Sequence, residues 1–210
     1  MKRLSLYLLA SFFISACQNP KELTPDRYIR WISSESHGFI QVKEVKEVRL
    51  QTRFLPADYQ AYKEFLQSTN DLSFDSILST YGCGLSFQFT ISADKTNALY
   101  RNLLNYDILQ QDETLARIRY LNFHIEDFIT LTYADKVYKP VLSHFEGYDE
   151  LGNKMTFQTS FIVPEFPCDR NKSDSLGDVT VTFDDPFWDL GTNHFRFDKK
   201  LFVSSPRLKF

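Results

Sequence analysis

Two of the four histidines sit in H-x-E triplets, His124-Ile125-Glu126 and His144-Phe145-Glu146. On an extended strand residues i and i+2 share a face, so each triplet would present an imidazole and a carboxylate together. That pairing can ligate a metal or exchange protons. The H-x-E of zinc deaminases works with a P-C-x-x-C partner, whereas Pro167-Cys168 is followed by Asp169, Arg170 and Asn171. We therefore expect exposed polar strand residues here, with no metal and no cofactor. Asp169-Arg170-Asn171-Lys172-Ser173 opens like a calcium loop, but Asp174 stands where the invariant Gly belongs and Thr180 where the bidentate Glu belongs. No G-x-S-x-G elbow, P-loop or G-x-G-x-x-G occurs, so no residue is assigned a catalytic role; a hydrolase triad assembled from distant positions is the third-ranked reading.

Asp184 to His194 combines acids, turn formers and a tryptophan. Asp185, Trp188, Asp189 and His194 are its candidate binding residues, with Trp188 as a flat contact for a glycan, a peptide or a partner protein. The competing reading is a structural loop whose Phe187 and Trp188 plug the end of the core.

The first residues carry an address. Lys2 and Arg3 precede an apolar run from Leu4 to Ile14 that only Ser5 and Ser11 interrupt. This is short of the roughly 20 apolar residues a spanning helix needs, and it matches the h-region of a secretory signal. The run closes on Ile14-Ser15-Ala16-Cys17, which resembles the lipobox of bacterial lipoproteins.

In that family the cysteine thiol receives a diacylglycerol, the peptidase cuts just before it, and the new amino terminus is acylated. The resemblance covers the first 17 residues and implies a signal peptide over 1–16, lipidation at Cys17 and a polar tether over 17–23. Anchorage would come from acyl chains, each buried CH2 contributing about 0.8 kcal/mol. Gln18 after the cysteine, rather than Asp, implies the outer membrane by resemblance to the usual sorting rule, with the face left open. The remainder is similar to the aromatic-rich bodies of small envelope lipoproteins. The partners this implies are the bilayer, through acylated Cys17, and another envelope protein.

With Cys17 lipidated, Cys83 and Cys168 remain, in an export compartment that permits a disulfide. A bridge between them and two separate buried thiols are both open. The net charge is -3, and the signal peptide removes two basic residues and no acidic ones, so the mature chain is more acidic still. That balance, without a basic block, argues against nucleic acid as a partner. A non-enzymatic interaction or accessory module is the leading expectation, and glycan or peptide binding through the Trp188 loop the alternative.

The elements that would position these residues follow from periodicity. Thr24-Pro25-Asp26 is a helix start, predicting a helix to about Ser33 that buries Tyr28, Ile29 and Ile32. Val48, Leu50, Thr52 and Phe54 alternate as a half-buried strand. Pro56 opens a helix carrying Tyr59, Tyr62, Phe65 and Leu66, and a third helix is predicted from Asp71 to Tyr81. Leu85, Phe87, Phe89 and Ile91 alternate clearly.

Thr96 to about Asn122 reads as helical, split near Tyr106, with Leu99, Leu103, Leu115, Ile118 and Leu121 inward. A hairpin turning at Ala134-Asp135-Lys136 joins Phe128–Tyr133 to Val137–Phe145. Further strands follow through Met155 to Val163, Val179 to Phe183, and Phe195 with Phe197. The expected fold is a single α+β domain over 24–210. Its antiparallel sheet would be a C-terminal meander of about four or five strands, with helices from the N-terminal half packed against it.

Overall fold

The computed structural model describes residues 20–68, 72–167 and 176–210. The expectations at Cys17, Cys168 and 169–174 lie outside these residues. The chain is α+β, and its strands form two antiparallel sheets and one parallel two-stranded pair in place of one C-terminal meander.

Helix α1 (Pro25–Ile32) begins as the sequence predicts and buries Tyr28 and Ile32, with Ile29 half-buried. After a 3-10 turn (Glu35–His37) that ends on left-handed Gly38 (φ 79°), β2 (Ile40–Val45) and β3 (Val48–Leu55) form a hairpin. Its two turn residues, Lys46 and Glu47, both have positive φ (49° and 68°), the backbone hand that matches strand twist in a two-residue hairpin. Helices α2 (Ala57–Gln67) and α3 (Phe74–Tyr81) follow, the latter capped by the Ser73 hydroxyl, which accepts from the Ser76 N–H. Next come β4 (Gly84–Ala93) and α4 (Gln111–Phe123). The predicted hairpin turns at Ala134 and Asp135 (φ 47° and 61°) between β5 (Ile129–Tyr133) and β6 (Lys136–Tyr138), but its second strand, expected from Val137 to Phe145, stops before Pro140, which has no N–H for the ladder. The chain continues through β7 (Leu142–Asp149), β8 (Lys154–Ile162), β9 (Val179–Asp184), β10 (Thr192–Phe197) and α5 (Lys199–Ser204).

One sheet has the order β2-β3-β4-β8-β7 and the other β10-β9-β5-β6. The N-terminal half thus supplies three strands of the larger sheet, and β4 binds the later β8 along Gly84–Ser92. Alternation of the side chains gives each sheet one apolar face. Leu50, Phe87, Phe89, Ile91, Met155 and Phe157 on the first meet Leu131, Val181, Phe183, Phe195 and Phe197 on the second, in one continuous buried cluster. Phenylalanine rings bridge the layers, Phe89 to Phe183 at 4.6 Å and Phe87 to Phe197 at 5.1 Å between centroids. This is sheet-on-sheet packing with interdigitated side chains.

Three further expectations are corrected. The long helix from Thr96 shrinks to α4, because Asp94, Asn97 and Asn102 turn their side chains onto nearby backbone N–H groups and hold 94–106 in turns. Leu99 and Leu115 consequently point outward, 61% and 58% exposed, while Leu103 and Leu121 are buried. Glu22 and Leu23, expected in the tether, form a short strand β1 that pairs in parallel with β11 (Arg207–Leu208).

Candidate functional site

The acidic loop after β9 is organised by Asp185. Its carboxylate accepts from the backbone N–H of Phe187 (2.8 Å), Trp188 (2.9 Å) and Leu190, closing a tight turn with a short acidic side chain at its start. That turn drives Trp188 inward. The side chain is fully buried, its indole N–H donates to the Leu103 carbonyl at 2.7 Å, and its own carbonyl accepts from the Tyr100 hydroxyl at 3.2 Å. The ring therefore offers no face to a ligand, which corrects the contact reading of Trp188 in favour of the plug.

Asp189 (φ 57°) is exposed and ion-paired to Lys46 in the β2–β3 turn. His194 lies on the outer face of β10, 3.0 Å from the Thr182 hydroxyl across the strand pair. Asp185 is thus a structural acceptor, and Asp189 and His194 are surface groups with local partners.

Two residues that sequence reasoning missed complete the support of this loop. Asn153, fully buried at φ 45°, accepts from the Leu103 N–H (3.0 Å) and the Tyr148 hydroxyl (2.8 Å), and donates to the Ala93 and Tyr100 carbonyls (2.9 and 2.7 Å). A single amide therefore satisfies four groups of the irregular stretch and the β7–β8 turn. Arg117 on α4 donates to the Leu104 and Tyr106 carbonyls, and its guanidinium lies 4.6 Å from the Phe187 ring centroid. Burial lowers its pKa, against the opposing pull of Asp107, Asp185 and Glu113. Nothing in the local pattern marked either residue, because most of their partners are remote in sequence.

Among the described residues the two H-x-E triplets form no joint metal-holding group. His124 caps the C-terminus of α4, and Glu126 lies in a 3-10 turn (Ile125–Asp127), so the first triplet is not on a strand; His124 is 3.4 Å from Asp127 instead. His144 and Glu146 are exposed on β7, where Glu146 accepts from Gln158 of β8 and a register shift follows Phe145. Among the described residues no group of three His, Cys, Asp or Glu could hold a metal ion. Cys83 takes part in a disulfide.

The tryptophan that does reach the surface region is Trp31. It stacks on His37 with 3.6 Å between ring centroids and 7° between planes, and His37 Nδ1 lies 2.9 Å from the Trp31 carbonyl. The two line a groove of about 420 Å³ together with Gln41, Arg196, Asp198 and Lys200. Arg196 is paired with Asp178, whose carboxyl is held below its ordinary range by the Lys199 N–H and the Arg196 guanidinium. An aromatic ledge beside an amide, a carboxylate and cations can receive a hydroxyl-rich ligand.

No family model and no curated protein matches the chain. Among solved structures it is similar to a novel protein of unknown function from Burkholderia pseudomallei K96243, at 15% identity and a TM-score of 0.37, covering 87% of this chain and 93% of that one.

Proposed function

We propose that the chain is a lipoprotein held at the outer membrane through Cys17, whose body serves as a non-enzymatic interaction module for another envelope component. The observation that carries the anchor is the order of Lys2-Arg3, the apolar run and Ile14-Ser15-Ala16-Cys17. The lipid keeps the body close to the bilayer, since the Lys21 carbonyl, four residues after Cys17, already accepts from the Arg207 N–H at 2.8 Å. Four residues reach at most about 14 Å. The interaction role is supported by the outer face of the larger sheet, where Arg49, Gln51, Arg53, Gln88, Thr90 and Gln158 lie half-buried side by side. Such a polar, hydrogen-bond-rich surface suits a wet protein interface. Crosslinking in intact cells followed by mass spectrometry should return one defined envelope protein, with crosslinks on these strands; a spread of unrelated proteins would contradict the role.

A second reading, glycan or peptide capture, is favoured by the Trp31–His37 ledge and moves away from the Trp188 loop. On this reading an oligosaccharide or peptide raises the melting temperature, and Trp31→Ala removes that shift. No shift across a panel of envelope glycans and peptides would dismiss it.

A further inference from the structure

We propose that one corner of the body, built from Tyr62, Phe65, Leu66, Leu72, Phe74 and Phe210, lies in the membrane interface as a second contact beside the lipidated cysteine. The inference rests on the anchor reading and adds an orientation to it.

Phe210 is 62% exposed and is the hub of the patch. Its ring centroid lies 4.8 Å from Phe74, 5.3 Å from Phe65 and 5.8 Å from Tyr62, and Phe65 meets Phe74 edge-on at 6.2 Å. Leu66 (65% exposed) follows Phe65 and stands one helical turn after Tyr62, while Leu72 (47% exposed) precedes α3 by two residues. Leu109 and Leu151 are exposed singly on separate loops, and Leu142 and Ile162 are exposed on the neighbouring strands β7 and β8 with no aromatic ring among them. The four rings are contiguous, with Phe210 exposed over the half-buried Tyr62, Phe65 and Phe74 and with Leu66 and Leu72 exposed on the flanking segments; an exposed apolar patch of this kind marks a contact surface.

Its position names the contact. Phe210 is two residues past Leu208, which pairs with Leu23, and the Lys209 N–H donates to the Leu23 carbonyl at 2.9 Å. Cys17 is six residues before Leu23. Because β1 and β11 are parallel, Phe210 lies at the far end of the pair from Lys21, about 10 Å along three strand residues; the chain from Lys21 to Cys17 reaches about 14 Å, so a tether folded back along the pair lets one plane hold both the acyl chains and the aromatic rings. Aromatic and leucine side chains partition to the headgroup boundary, and with the anchor fixed nearby they do so without a separate encounter.

The test introduces the photoreactive amino acid benzoylphenylalanine at position 210 or 66 of the full chain, with positions 109 and 151 as controls, and irradiates intact cells. Phospholipid adducts at 210 and 66 should exceed those at the controls by about tenfold, as burial of one such side chain implies. Protein adducts at 210 and 66, or no excess of lipid over the controls, would overturn the membrane contact. The mass of the Cys17 peptide from the same cells reports the anchor separately. Acylation without lipid adducts removes the contact alone, whereas lipid adducts without acylation keep the contact and remove the anchor.

Discussion

The Trp188 indole N–H donates to the Leu103 carbonyl at 2.7 Å, across 85 positions of sequence. This bond fastens the loop after β9 to the irregular stretch before α4. Because Asp185 pulls three N–H groups around itself, the same loop is both a turn and a plug. Trp188→Ala should cost about 3–5 kcal/mol through the cavity it leaves. Trp188→Phe keeps most of the ring and removes the shorter of two bonds to the Leu103 carbonyl, which still accepts from the Tyr106 N–H at 3.4 Å, and should cost less than Trp188→Ala. Urea denaturation followed by circular dichroism separates the two; equal and negligible losses would contradict the plug.

Asn153 offers a sharper case. Asn153→Ala loses four hydrogen bonds in a buried site and keeps the unfavourable positive φ, so we expect a loss of about 3 kcal/mol or more. Asn153→Gly relieves the backbone and not the bonds, so it should recover only part of that loss. Chemical denaturation of the two variants checks the ranking.

Several strands and the starts of α1 and α2 were legible because their cause is local. Phe87, Phe89 and Ile91 alternate with Ser86, Gln88 and Thr90 whatever sheet they join, and Thr24-Pro25 begins a helix in any context. The division into two sheets was not legible, since period-2 alternation is the same for one meander and for two facing layers. The stretch 94–106 misled because Leu99 and Leu103 are spaced as on a helix, while Asp94, Asn97 and Asn102 compete for the backbone. At the candidate loop the composition was visible and the orientation of Trp188 was not, because the Leu103 carbonyl that satisfies its N–H comes from a segment whose path only the tertiary fold sets.

The Glu165 carboxylate accepts from the Lys136 ammonium and the Tyr138 hydroxyl, and these bonds, the ammonium first, hold its pKa at about 2. The folded value lies below the ordinary 4.5, so the contribution is present above that pH and is lost as the pH falls towards 2. Glu165→Gln should therefore differ from the parent in thermal stability at pH 7, and the difference should close between pH 4.5 and 2. A difference that grows on acidification would contradict the ion pair. Because the pair is exposed, added salt should narrow it as well.

Cys83 is disulfide-bonded. If Cys17 carries the lipid, the remaining cysteine of the sequence is Cys168, so a non-reducing peptide map should return a Cys83–Cys168 linked pair. Recovery of Cys83 linked to Cys17 would contradict both the pairing and the anchor.

The anchor is tested most directly at Cys17 itself, by labelling cells with radioactive palmitate and sequencing the amino-terminal peptide of the mature protein. We predict a chain that begins at acylated Cys17, and a Cys17→Ala variant that takes up no label and leaves the membrane fraction. Label that persists in Cys17→Ala, or a mature chain that still carries residues before Cys17, would contradict the account.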